Sequence, residues 1–320
     1  MDSDVDAAAL IGAIRAAVAE VVVGKQDVLD QLLIAVLCRG HVLVEDVPGV
    51  GKTLLARSLA TALGCTFTRV QFTPDVLPSD VTGSSIFNQQ SSEFEFKPGP
   101  IFTQILLADE INRATPRAQS ALLEAMQEYQ VTSDGQTRRL PEPFLVLATQ
   151  NPVEQEGTFQ LPEAQLDRFL LRVIPGYPSR EEEDAMMRRF LRDDPLTRLR
   201  PVTSAEGVLA LQVQREAVRV GDAVRDYILS LVRATREDPS IALGASPRAS
   251  LALLHAGQAR ALLDGRGYVR PDDVKALAAP VLAHRLVLTG EARLRGHHPR
   301  ELIAALLDTV PVPVEDELVG

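Results

Sequence analysis

Three short stretches carry side chains fit for chemistry on phosphates. Residues 42–53 read V-L-V-E-D-V-P-G-V-G-K-T, an apolar run with the look of a buried strand, broken at Pro48 and Gly49 and passing through Val50, Gly51, Lys52 and Thr53 into a predicted helix over 54–63 that opens on Leu54. Glycines let successive backbone N–H groups turn inward, and the helix that follows offers its positive N-terminal end. A lysine neutralises β/γ-phosphate oxygens and a threonine hydroxyl reaches Mg²⁺. Only the stricter part of G-x-x-x-x-G-K-[ST] is met, because Asp46 stands where the first glycine belongs, so a plain glycine turn between strand and helix is the competing reading. The second stretch, I-L-L-A at 105–108, delivers Asp109 and Glu110 at a strand end. Asp109 suits a metal held through water and Glu110 suits polarising an attacking water, whereas a helix cap is the plainer alternative. Asn151 ends a third apolar run, 144–148, where an amide can orient water or touch a γ-phosphate, or can start the turn before Pro152.

Two further features bear on the same chemistry. The bend V-V-V-G-K-Q at 21–26, with Val23, Gly24 and Gln26, lies just upstream of the phosphate loop; it either wraps an adenine base or joins two helices. Arg168 either pairs with Asp167, a surface bridge worth about 0–1 kcal/mol, or reaches a neighbouring subunit's nucleotide as an arginine finger.

These residues need a frame, and 320 residues suffice for about two domains. Hydrophobic residues at 46% and charged residues at 24% predict a packed core. Lys+Arg of 33 against Asp+Glu of 43 leaves −10, which argues against a surface that coats nucleic acid. Cys38 and Cys65 lack metal-ligand spacing and read as buried thiols; with no secretory signal and no apolar run near 18 residues, the expected location is the cytoplasm. Helices are predicted over 5–20, 27–37 and 118–129, and strands over 68–72, 144–148 and 170–174. The stretch 73–99 is rich in Pro, Ser, Gln and Gly and reads as an inserted projection in which 94–97 alternates like a strand. Asp134-Gly135 predicts a two-residue hairpin with a return strand made basic by Arg138 and Arg139, which is equally a solvated edge. Beyond Pro175-Gly176-Tyr177-Pro178 only helical periodicity is expected, with capping boxes at 179–182 and 203–206 and helices over 220–236, 246–263 and 271–288. The last residues, 310–320, read as a loose tail.

Strands alternating with helices, then helices alone, predict an α/β nucleotide-binding core followed by a helical lid. At this level the chain resembles the MoxR family of AAA+ ATPases over nearly its whole length, through E-D-V-P-G-V-G-K-T (45–53), Q-F-T-P-D-V-L-P-S-D-V-T-G (71–83), L-L-A-D-E-I-N-R-A (106–114), Q-S-A-L-L-E-A-M-Q-E (119–128), the run A-T-Q-N-P to L-D-R-F (148–169) and S-P-R-A-S (246–250). The family commonly shows the Asp46 variant. The resemblance implies a five-stranded parallel sheet in a core at 1–178, an insertion in the second helix at about 73–100, a hairpin at about 129–141 and a lid at 179–320. It implies ATP and Mg²⁺, with Lys52 and Thr53 as Walker A, Asp109 and Glu110 as Walker B, Asn151 as sensor 1, Arg168 as the finger, for which Arg113 and Arg117 compete, and Arg248 as sensor 2. It further implies a ring, usually hexameric, and a chaperone acting with a von Willebrand factor A-domain protein on clients that often contain metal. A DNA-acting AAA+ remodeller or helicase-like motor is the alternative, motivated by Arg138 and Arg139 and opposed by the net charge. A GTPase is disfavoured, since no N-K-x-D follows the phosphate loop.

Overall fold

A strand covered on both faces must be apolar along its length, as the runs before Glu45, Asp109 and Gln150 are. In the computed structural model, which describes residues 6–45, 47, 49–151, 157–191 and 194–313, these runs form the middle of a parallel sheet. In chain order the strands are β1 Val42–Glu45, β2 Phe67–Gln71, β3 Gly83–Asn88, β4 Glu93–Pro98, β5 Ile105–Asp109, β6 Gln130–Ser133, β7 Gln136–Arg139, β8 Leu145–Gln150, β9 Leu171–Val173, β10 Ile241–Leu243 and β11 Val287–Leu288. The helices of the core are α1 Ala7–Ala19, α2 Gln26–Leu37, α3 Lys52–Ala62, α4 Pro78–Thr82, α5 Pro116–Glu128 and α6 Glu163–Leu166. Those that follow are α7 Arg180–Arg189, α8 Ala205–Glu216, α9 Asp222–Glu237, α10 Pro247–Leu263, α11 Pro271–Leu282, α12 Gly290–Leu294 and α13 Pro299–Thr309.

The main sheet has five strands in the order β2-β5-β8-β1-β9, all parallel, as expected. Successive side chains point to opposite faces, so one sheet feeds two cores. Val42, Val44, Ile105, Leu107, Leu145 and Leu147 face α1 to α3, while Leu43, Leu106, Ala108, Val146 and Ala148 face α5. The first core runs on without a break into Leu211, Leu231, Leu253 and Leu277 of α8 to α11, which docks the helical region onto the sheet. Because every main strand runs the same way, Asp109, Gln150 and Glu45 all end at one rim of the sheet, and Asn151 follows directly. That is where ligands of open α/β sheets bind.

Ser179 caps α7 reciprocally with Glu182, and Asp134-Gly135 turns the β6–β7 hairpin with φ of 54° and 73°, both as expected. The strand expected at 94–97 is present as the second arm of a β3–β4 hairpin, because Ser84, Ser85, Ile86 and Phe87 find partners in Lys97 through Phe94. Three local expectations are corrected. The α8 cap is Ser204 rather than Thr203, its Oγ accepting from Gly207 N at 3.4 Å and donating to Glu206 at 2.7 Å. The last long helix stops at Leu282 instead of 288, where Arg285 turns back to Asp167 and Leu288 pairs with Ile241. The lid is helical as expected, with the small β10–β11 ribbon added. Expectations attached to Val5, Asp46, Pro48, Pro152 and the tail from 314 lie outside the described residues.

Candidate nucleotide site

Gly49 and Gly51 have φ of +86° and +85°, a region L side chains avoid, and an added Cβ would meet nothing within 4 Å at either. Backbone conformation, not crowding, therefore requires glycine there. Gly51 is the N-cap of α3 and no side chain caps that helix, so its first-turn N–H groups suit an anion. Lys52 Nζ donates to Val47 O at 3.2 Å. A cavity of about 440 Å³ opens above the loop and brings together the predicted Gly49, Gly51, Lys52, Thr53, Leu54, Asp109, Glu110 and Asn151, with Arg69 and Thr149 beside them.

The acidic pair is positioned by sheet register. Pairing of Ala108 with Ala148 puts Thr149 beside Asp109, and Thr149 Oγ1 donates to Asp109 Oδ1 at 2.6 Å while accepting from Glu110 N at 2.8 Å. One buried hydroxyl thus fixes both acids. Glu110 sits at φ 56°, ψ 49°, an unfavourable conformation for a residue with a side chain and one that gathers at functional sites. Each carboxylate also meets an arginine: Asp109 Oδ2 accepts from Arg69 at 2.7 Å and Glu110 Oε2 lies 2.9 Å from Arg113 Nε. Among the described residues no group of three or more His, Cys, Asp or Glu could hold a metal. One carboxylate and one hydroxyl beside a phosphate cradle are instead the donors of an ion shared with a bound phosphate, which is how Mg²⁺ is usually held.

An apolar cavity of about 240 Å³ adjoins the first across Gly49, Gly51, Lys52 and Leu54 and is walled by Val21, Val22, Val23, Val50, Pro175, Tyr177 and Met186. Lys25 ties the 21–26 bend to the start of the lid, donating to Pro175 O at 2.9 Å and Gly176 O at 2.8 Å. Gly24, at φ +70°, sits against the lid, where a Cβ would fall 1.9 Å from the Glu182 carboxylate. Gly24 and Gln26 line neither cavity, and nor do Arg168 and Arg248. Arg168 is half-buried and Arg248 is exposed in the first turn of α10. Asp167 does not pair with Arg168: it accepts from Arg285 Nε at 2.8 Å and from Ser246 Oγ at 3.1 Å. Phe169 is fully buried, and its carbonyl accepts from Arg285 at 2.7 Å, so Arg168 projects from a segment pinned on both sides.

Comparison with known proteins gives this geometry a family. The ATPase family associated with various cellular activities (AAA) matches residues 41–171, and the AAA lid domain matches 233–306. The chain is 44% identical over 305 residues to Chaperone MoxR1 of Mycobacterium tuberculosis (strain ATCC 25618 / H37Rv), covering 92% of this chain and 80% of that one. It is 34% identical over 331 residues to Protein MoxR of Paracoccus denitrificans, covering 93% and 95%. The chain belongs to the MoxR family of AAA+ ATPases. It is also 52% identical to the uncharacterized protein YeaC of Bacillus subtilis (strain 168) over 92% of both chains. A solved structure of a candidate ATPase from Cytophaga hutchinsonii ATCC 33406 superposes with a TM-score of 0.91 at 41% identity, covering 96% of each chain.

Sequence reasoning missed several residues that line these two cavities of the MoxR-family chain. Thr149 was legible in principle, since it stands two residues before Asn151 on the strand next to Asp109. Arg69 and Tyr177 carried no local signal, because their place depends on edge pairing of β2 and on the lid connection.

Proposed function

We propose that this ATPase is the subunit of a ring, expected to be hexameric, that uses ATP to remodel protein clients. Convergence of Lys52, Thr53, Asp109, Glu110 and Asn151 on one cavity, joined to an apolar one of base-binding character, carries the reading. The triphosphate lies along the Gly49–Thr53 loop with its adenine against Val23 and Tyr177. Thr53 and Asp109 would hold Mg²⁺, which supplies positive charge to the β and γ oxygens. Lys52 neutralises the same oxygens, and Glu110 accepts the proton of the attacking water while Asn151 orients that water. Arg168 from a neighbouring subunit and Arg248 from the lid complete the charge, the largest contribution in such chemistry. The core is proposed to span 1–178 and the lid 179–320, the lid carrying nucleotide state to the next subunit.

A relative named Chaperone MoxR1 supports the chaperone reading, and the family resemblance extends it to a von Willebrand factor A-domain partner, metal-containing clients and work in the cytoplasm. No helix among the described residues is long and apolar enough to cross a membrane. The DNA-acting alternative is not favoured. Of Arg138 and Arg139, which prompted it, Arg139 is exposed, while Arg138 lies with its guanidinium 3.8 Å from the Phe96 ring centroid and donates to Gln136 Oε1 at 2.7 Å. Arg138 is spent on tying the two hairpins together.

Glu110→Gln tests the mechanism. ATP affinity is expected to hold while steady-state phosphate release falls by about 10²-fold or more, the usual range for losing a positioned acid–base group. Release at the parental rate would remove Glu110 from the reaction.

A further inference from the structure

Arg69 is the one cation at the phosphate end of the sheet, among the described residues that line the larger cavity, that comes from the edge strand rather than from the phosphate loop. Its Nε and Nη2 both donate to Asp109 Oδ2, at 3.1 and 2.7 Å, and Nη2 also donates to Gln71 Oε1 at 2.8 Å. Asp109 Oδ1 is taken by the Thr149 hydroxyl at 2.6 Å. Both carboxylate oxygens are therefore engaged, and the outer one is engaged by a positive charge.

A hydrated divalent cation docking on Asp109 needs the lone pairs of that outer oxygen, and two cations cannot share it closely without repulsion. Thr149 is buried and bonded to the backbone of Glu110, so it has nowhere to go. Arg69 does: its side chain is 47% exposed, and Gln71 offers a second acceptor. The geometry points to Arg69 as a positioning residue that competes with the divalent metal for Asp109 Oδ2, keeping the carboxylate aimed at the site without metal and lowering the affinity for metal with nucleotide. Release of the metal with the spent diphosphate is eased by the same competition, since Arg69 is at hand to take back the carboxylate. This inference rests on the proposed role of Asp109 as a metal-bearing group.

The test titrates Mg²⁺ into full-length protein holding fluorescent N-methylanthraniloyl-ADP and reads the metal concentration at half-effect, with metal-free ADP affinity measured in EDTA. Arg69→Gln is expected to lower that concentration about fivefold, the range open to a half-exposed ion pair, and to leave metal-free affinity unchanged. Arg69→Lys, which keeps the charge but loses the two-point contact, should fall between the two. An unchanged or raised half-effect concentration in Arg69→Gln overturns the proposal, as does a parallel loss of metal-free ADP affinity, which would make Arg69 a phosphate ligand. Should Arg69→Gln not fold, Arg69→Lys decides by the same criteria. Asp109→Asn is the separate control: if it leaves the Mg²⁺ dependence intact, the metal role of Asp109 fails first.

Discussion

The two ends of the same five-stranded sheet keep their polar groups in different ways. At the end where the strands begin, His41 is sealed by backbone: Nδ1 accepts from Val146 N at 3.0 Å and Nε2 donates to Met126 O at 2.9 Å, with Tyr129 and Phe144 packed against the ring. In the cavity there, about 230 Å³, three lining groups are tied to one another or to backbone: the Tyr129 hydroxyl donates to Arg39 O, Arg39 Nε donates to Gln212 Oε1 at 2.9 Å, and Gln212 Nε2 donates to Val36 O at 2.7 Å. At the end where the strands finish, the acids are met by arginine side chains and α3 has no side-chain cap. A group held by backbone cannot change partners without unfolding, whereas one held by a long charged side chain can be handed to a ligand. The contrast separates the end that stabilises from the end that works.

The largest effect is expected at the working end. Lys52→Ala should lower turnover by about 10³-fold, about 4 kcal/mol of lost charge stabilisation, while thermal unfolding without nucleotide stays within about 2 °C of the parent. Comparable losses of activity and stability would erase the distinction between the ends.

How much of this was legible in the sequence follows the same division. The loop at 49–53 and the acids at 109–110 were readable because their chemistry demands fixed residue types at fixed spacing, and the strands before them because burial on both faces demands unbroken apolar runs. The local Asp167–Arg168 pair that the sequence left open does not form, and the actual partner of Asp167, Arg285, could not be read because it lies 118 positions away. The β10–β11 ribbon was invisible because three residues pairing with two create no period of their own, and the apolar run through Pro280 hid the end of α11. Arg168 was legible as one of two readings and the role of Arg248 came by resemblance alone; their placement away from both cavities fits roles proposed to depend on a neighbour and on the lid.

The pair that ties the segment before β9 to the turn after α11 sharpens the comparison. Arg285 has a side chain only 2% exposed, and burial pulls its pKa down while Asp167 pulls it back up. Asp167→Ala leaves that guanidinium with carbonyl acceptors but no countercharge, and should cost about 3 kcal/mol in urea unfolding. Because Asp167 also pins the segment bearing Arg168, turnover should fall as well, so this variant is expected to lose both properties where Lys52→Ala loses one. Full activity in the destabilised protein would detach Arg168 from its support.

The smallest effect belongs to His41 and appears only on acidification. Burial pushes its pKa from 6.5 down to about 4, with the Met126 carbonyl opposing the shift. Protonating Nδ1 would set its new N–H against the Val146 N–H that it now accepts from. Between those two values the unfolded chain binds a proton that the folded chain does not, so stability rises with pH through the window and is lost as pH falls through it. The full drop corresponds to about 3 kcal/mol, and buried His284, shifted the same way, adds to it. His41→Gln, which cannot take up the proton, should be less stable than the parent at pH 7.5 but lose about 2 kcal/mol less on going to pH 4.5, with nucleotide affinity at pH 7.5 unchanged. Urea unfolding at both pH values measures the difference. If parent and variant lose stability in parallel, His41 is not the group that titrates, and the base end owes its acid sensitivity to another residue.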